Sequence, residues 1–159
     1  VGEEHTFIPC TPQGCLILIK SVLGNNLSGK NALVIGRSNI VGKPMSILLL
    51  HENCTVTIAH SQTKNLKSLT LNSDILVSAV GQPCFLKSDY VSNRTVVIDV
   101  GINNISLDNG EKKLIGDVDF KNIVSKCLGV TPVPGGVGPM TIACLMKNTL
   151  RAYNYKTKS

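Results

Sequence analysis

The chain has 159 residues, of which 43% are hydrophobic and 16% charged, proportions that fit one globular domain with a sizeable core and exclude a disordered chain. Its apolar runs, such as Ile47-Leu48-Leu49-Leu50, are far too short to span a bilayer, and no basic-then-apolar leader opens the sequence, so no membrane partner is expected. The net charge of +6 comes with scattered lysines, 4% aromatics and no tryptophan; nucleic acid is not expected as a partner, and an anionic small molecule such as a dinucleotide phosphate suits the positive balance better.

Residues 1–10 read as irregular. Thr11-Pro12 then marks a helix start, with Thr11 as N-cap and Pro12 at the first helical position; Leu16, Ile19 and Leu23 give the helix its apolar face and Gly24 closes it. After the turn at Ser28-Gly29-Lys30, the run Asn31 to Ile35 reads as a buried parallel strand, followed by a glycine-containing loop and a helix through Met45 to Leu50. Thr55 to Ala59 is a second strand, Leu66 to Leu71 a short helix, Asp74 to Ala79 a third strand and Thr95 to Val100 a fourth. Asn103 to Lys113 is polar, and Asp108-Asn109-Gly110 signals the turn of a small hairpin. Asp119 to Lys126 reads as a short helix, Leu128 to Thr131 as a fifth strand, Pro132 to Pro139 as a glycine/proline loop, Met140 to Tyr153 as a final helix and Lys156 to Ser159 as a frayed tail. Strands alternating with helices at short intervals predict an α/β, Rossmann-type, doubly wound and mainly parallel sheet with helices on both faces, as one domain over residues 1–159.

The six cysteines (Cys10, Cys15, Cys54, Cys84, Cys127 and Cys144) show neither a C-x-x-C pair nor zinc-ligand spacing with histidine. They read as buried free thiols of a reducing compartment, the cytoplasm, and no metal site is expected.

The sharpest local signal is Gly36-Arg37-Ser38-Asn39-Ile40-Val41-Gly42-Lys43-Pro44 between a strand and a helix. Glycine there allows backbone to approach a diphosphate, and the helix N-terminus offers free N–H groups. The spacing is G-x-S-x-x-x-G, not G-x-G-x-x-G, so an ordinary strand-to-helix turn is the competing reading. NAD-binding sheets commonly end the second strand with an acid for the ribose 2′-hydroxyl, whereas this strand ends Ala59-His60-Ser61. With Arg37 nearby, that corner suits a 2′-phosphate and hence NADP. His60 receives no acid–base role. Gly81 and Gly101, after the third and fourth strands, suit a flat nicotinamide or simple turns. The Pro132 to Pro139 loop suits either a nest of N–H donors or a rigid crossover.

Together, Pro9-Cys10-Thr11-Pro12-Gln13-Gly14, the Val34 to Pro44 segment, Thr55-Val56-Thr57 with His60-Ser61, Val97 to Asn103, Gly116 to Phe120 and Thr131 to Thr141 resemble the bifunctional methylenetetrahydrofolate dehydrogenase/methenyltetrahydrofolate cyclohydrolase family, in order from about residue 9 to about 153. The resemblance implies oxidation of 5,10-methylenetetrahydrofolate by NADP, then hydrolysis of the methenyl product to 10-formyltetrahydrofolate. It implies NADP contacts at Gly36, Arg37, Ser38, Ser61 and Ile102, and places Gly135, Gly136 and Val137 at the cleft where folate and nicotinamide meet. It further implies a homodimer, with tetrahydrofolate derivatives held through an upstream domain. The family's catalytic lysine, in a Y-x-x-x-K pattern, belongs to that upstream domain. Here Tyr90 is followed by Arg94 and Tyr153 by Thr157, and Lys43 lies in the cofactor loop, so no catalytic residue is assigned within the chain. Starting at Val1, the sequence reads as a fragment or processed product that lacks the upstream domain and is inactive alone. Its first and last helices are expected to expose apolar surface and to favour self-association. Two other readings stay open: an NAD-dependent relative using magnesium and phosphate near the ribose, and a non-catalytic dinucleotide sensor.

Overall fold

A computed structural model describes residues 7–106 and 110–158. Its centre is a parallel five-stranded sheet in the order β2-β1-β3-β4-β7, formed by β1 (Asn31–Ile35), β2 (Thr55–Ala59), β3 (Ile75–Ser78), β4 (Val96–Asp99) and β7 (Gly129–Val130). Helices α1 (Cys10–Leu23), α2 (Gly42–His51), α3 (Leu66–Leu71), α4 (Phe120–Ile123) and α5 (Val137–Lys158) surround it, and β5 (Asn103–Ser106) pairs antiparallel with β6 (Lys112–Ile115). The α/β, doubly wound architecture is the one the alternating pattern predicted. The expected turn of the β5–β6 hairpin falls on Asp108-Asn109-Gly110, of which the first two lie outside the described residues.

Continuous apolar strands form here because both faces of the sheet are covered. Alternation sends Ala32, Val34, Ile75, Val77, Val96 and Ile98 to one face, under Cys15 and Ile19 of α1 and Met45 and Leu49 of α2. Leu33, Ile35, Leu76 and Val97 point to the other, against Leu86, Val91, Val118 and Ile123 and the half-buried Leu66 and Leu69 of α3. β2 is an edge strand and leaves Ile58 exposed. From β1 the chain passes to β2 on one side and then to β3 on the other. That reversal opens a crevice at the carboxyl ends of β1 and β3, where open α/β sheets bind ligands.

Several boundaries differ from expectation. Helix α1 starts at Cys10 with Pro9 preceding it, and Thr11 is inside the helix, not its N-cap. The helical ladder begins with Gln13 N–H donating to the Pro9 carbonyl at 3.1 Å. Pro12 lies among the first-turn positions whose N–H has no intrahelical acceptor, so its missing donor costs no bond. Thr11 instead meets α5, where the Thr141 hydroxyl donates to its Oγ1 at 3.1 Å. Helix α5 likewise begins at Val137, with Pro139 in its first turn, and runs through Lys158 where a frayed tail was expected. Of the six free cysteines, Cys15, Cys54 and Cys144 are buried while Cys10, Cys84 and Cys127 are only half-buried; burial pushes the Cys15 thiol up to about 12. The expected apolar exposure is present on α1 (Ile17, Val22) and is larger on α5 (Ile142, Leu145, Met146, Leu150).

Leu76 is fully buried between β1 and β4 on the α3 side. Leu76→Ala is expected to lower the unfolding free energy by about 2–5 kcal/mol, whereas Leu50→Ala at an exposed α2 position should change it by less than about 0.5 kcal/mol. Urea denaturation of the two variants checks both values.

Candidate functional site

The loop after β1 is built around Gly36, whose φ of 121° belongs to the left-handed side of conformational space and whose missing Cβ would overlap the Ala79 carbonyl. Glycine alone allows β1 to turn here while β3 lies alongside. Gly36 N–H donates to the Ala59 carbonyl at 2.9 Å, so the end of β1 is bonded to the end of β2. That bond brings Arg37 and the Ala59-His60-Ser61 turn to one corner. Arg37 is exposed and makes no hydrogen bond or ion pair among the described residues; Ser61 is exposed as well.

Ser38 shapes the loop. Its Oγ accepts the N–H of Val41 at 3.1 Å and of Gly42 at 3.2 Å, and its carbonyl accepts that of Lys43 at 3.0 Å. A hydroxyl that accepts two bonds still has its own proton to donate, and Ser38 is exposed. Lys43 is turned aside, its Nζ donating to Asn39 Oδ1 at 2.8 Å. In the β2 turn, His60 Nδ1 accepts Gln62 N–H at 3.3 Å and His60 N–H donates to Thr63 Oγ1 at 2.9 Å, so this histidine braces the turn.

Farther along the same edge lies a cavity of about 540 Å³. Its walls are the β4 loop (Val100, Gly101, Ile102), Leu114 of the hairpin, the 132–136 segment, the start of α5, and Thr11 with Thr141; Val41 borders it from the glycine loop. Ile102, Gly135, Gly136 and Val137 thus meet at one cavity. Gly36, Arg37, Ser38 and Ser61 form a separate corner beside it. The Pro132 to Pro139 segment walls the cavity, and its last three residues belong to α5.

Two residues with no role in the sequence reading organise this edge. Asp99, at the end of β4, is 2% exposed. Its Oδ1 accepts the N–H groups of Gly101 and Asp117, and its Oδ2 that of Val118, each at 2.9 Å. Its own N–H donates to Thr131 Oγ1 at 2.8 Å. Burial pushes the Asp99 carboxyl up to about 6; the three N–H donors oppose this, and the neighbouring Asp117 adds to it. Asp117 is fully buried and receives N–H groups from Val80, Gly81 and Gln82. The available signal was an acid inside the apolar run Val96-Val97-Ile98-Asp99-Val100: a charge in a buried strand persists only where donors converge on it.

The burial of Asp99 has a pH signature. Its proton is held more tightly in the folded protein than at the ordinary value of 3.8, so the associated stability is present below about pH 4 and is lost as pH rises through about 6. The unfolding free energy of wild type minus that of Asp99→Asn should therefore fall across that window and level off above it. Urea titrations at several pH values measure this, and ¹³C NMR of the Asp99 carboxyl should show a midpoint near 6.

The family model for "Tetrahydrofolate dehydrogenase/cyclohydrolase, NAD(P)-binding domain" matches residues 9–157. The "Bifunctional protein FolD" of Wolbachia pipientis subsp. Culex pipiens is 61% identical over 151 residues, 95% of this chain and 50% of the relative. Its namesake in Rickettsia africae is 57% identical over 152 residues, 96% of this chain and 51% of the relative. Among solved structures, the bifunctional FolD methylenetetrahydrofolate dehydrogenase/cyclohydrolase of Campylobacter jejuni superposes with a TM-score of 0.88 at 44% identity, covering 98% of this chain and 53% of that one. The Trypanosoma brucei enzyme, solved with NADP cofactor and an inhibitor, gives 0.86 at 36% identity, covering 96% and 52%. The chain thus spans about half the length of the relatives it matches.

Proposed function

The chain belongs to the family of NAD(P)-binding domains of tetrahydrofolate dehydrogenase/cyclohydrolase, and on that premise we propose that it is the NADP-binding part of an enzyme that oxidises 5,10-methylenetetrahydrofolate and hydrolyses the methenyl product to 10-formyltetrahydrofolate. The observation that carries the choice of NADP is the corner made by the Gly36–Ala59 hydrogen bond. There the Arg37 guanidinium, unpaired among the described residues, adjoins a strand end that carries no acid. A guanidinium suits the fork geometry of a phosphate, and an acid in that place would repel one.

In this reading Gly36 and Ser38 face the diphosphate, Ser38 donating its free hydroxyl proton. Arg37 and Ser61 hold the 2′-phosphate on the adenosine ribose. Ile102, Gly135, Gly136 and Val137 border the nicotinamide in the neighbouring cavity. Bound there, the nicotinamide supplies hydride acceptance. The work of this chain is to hold and orient it in a mostly apolar pocket, where alignment with the reacting carbon does much of what catalysis needs. The pterin and the acid–base group are assigned to residues of the kind that fill the other half of the relatives, and none of the eight residues named here is given a catalytic role. A homodimer acting in the cytoplasm, with 10-formyltetrahydrofolate feeding purine and amino-acid biosynthesis, completes the proposal; the family resemblance supports it, as does the apolar surface of α1 and α5 for pairing.

Calorimetric titration tests the cofactor. Arg37→Ala is expected to weaken NADP binding by about ten- to a hundredfold, the range of a lost charge-assisted hydrogen bond, and to leave NAD binding nearly unchanged. Equal affinity of the wild type for NADP and NAD would overturn the choice. A second outcome concerns chemistry: the 159-residue chain, given NADP and 5,10-methylenetetrahydrofolate, is expected to form no NADPH, read by its near-ultraviolet absorbance.

A further inference from the structure

Five donors from two segments, residues 78–82 and Asn103, converge on one buried side chain at the carboxyl edge. Asp117 Oδ2 accepts Val80 N–H at 2.8 Å and Gly81 N–H at 3.1 Å, with the Ser78 hydroxyl at 3.4 Å; Oδ1 accepts Gln82 N–H and Asn103 Nδ2 at 3.0 Å each. Gly101 lies directly against the same carboxylate, with no room for a Cβ between them. Asp117 therefore ties the β3 loop, the β4 loop and the first residue of the hairpin to one point. The cavity wall is made from two of these, through Ile102 just before Asn103 and through Leu114 on the returning strand. The phosphate corner is anchored differently: its hydrogen bonds run to the Ala59 carbonyl and within the Ser38 loop; it touches the loop that Asp117 holds where Gly36 packs against the Ala79 carbonyl, but no hydrogen bond joins it to Asp117 among the described residues.

We propose that Asp117 is the positioning residue of the nicotinamide side of the dinucleotide site: through the β4 loop and the Asn103 side chain it fixes the wall formed by Ile102 and Leu114, while the adenosine side takes its hydrogen bonds from Ala59 and within the Ser38 loop. The proposal rests on the dinucleotide reading above. It has a physical consequence for substitution. An amide in place of the carboxylate keeps one acceptor oxygen and puts an NH₂ against the donors on the other side, so either Ser78, Val80 and Gly81 or the Gln82–Asn103 pair loses its partner. The wall should shift more than the Arg37 corner, whose hydrogen bonds do not involve Asp117.

The test compares NADP with adenosine 2′,5′-bisphosphate, which carries the adenosine half alone. Both are titrated by calorimetry into the wild-type chain, Asp117→Asn and Asn103→Ala, with thermal melts to confirm folding. Asp117→Asn is expected to weaken NADP by about tenfold and Asn103→Ala by about threefold, with the bisphosphate held to within about twofold in both. Equal losses for the two ligands overturn the assignment, since general destabilisation would move both; so does an unchanged NADP affinity. Should Asp117→Asn fail to fold, Asn103→Ala decides alone, because it removes one half-buried donor and leaves the other four bonds of Asp117 in place. A wild type that binds neither ligand overturns the dinucleotide reading, and the Asp117 assignment falls with it, an outcome distinct from selective loss in the variants.

Discussion

The carboxyl edge of the sheet is held by two carboxylates that have left water without gaining a cation. Stripping a carboxylate of its hydration costs several kcal/mol even after the protein relaxes, and no lysine or arginine is ion-paired with Asp99 or Asp117 among the described residues. Backbone N–H groups do the compensating. Asp99 takes three and Asp117 takes three more, with two side-chain donors besides. Each hydrogen bond to a charged acceptor contributes about 1.5–3 kcal/mol, so several together offset much of the desolvation, although at Asp99 burial still outweighs its three donors. The cost falls on conformation: the loops that supply these N–H groups must keep the geometry that points them inward.

That constraint links the loops of the ligand edge to one another. The β3 and β4 loops and the start of the segment after the hairpin answer to the same two side chains, and the Asp99 N–H extends the connection to Thr131 and the 132–136 segment. Strands β3, β4 and β7 therefore end in a common hydrogen-bonded frame. The ends of β1 and β2 are joined through the Gly36–Ala59 bond, and β1 meets this frame where Ala79 N–H donates to the Ile35 carbonyl at 2.9 Å. A dinucleotide lying along this edge would meet two differently built surfaces, one polar and open at Arg37, the other apolar and concave at Ile102 and the 132–136 segment.

Much of the fold was legible because its signals are local. The bounds of β1, β2 and α3 follow from apolar runs flanked by polar turns, and alternate residues of β1, β3 and β4 were bound to pack on opposite faces once the strands were parallel. The helix starts were harder. Both prolines near helix N-termini, Pro12 and Pro139, sit two residues past the first helical position, where the missing N–H costs as little as it does at the first. Sequence alone does not separate those registers. The Gly36 corner was legible for the same local reason, since strand, glycine and helix adjoin in the chain.

The carboxylate frame was less so, because its donors come from far away in sequence. Asp117 is bonded to residues 14 to 39 positions distant, and nothing near Asp117 in the chain announces Val80 or Ser78. What the sequence does offer is the anomaly itself, an acid at the end of the apolar run Val96 to Val100. A buried acid invites the question of which donors surround it, and in a parallel sheet the donors at a strand's carboxyl end come from the loops that line the ligand. The acid then marks the binding edge twice over, by where it lies and by what it must gather around it. It does so at Asp99 without any reference to a glycine motif, through a physical requirement independent of the one that singles out Gly36.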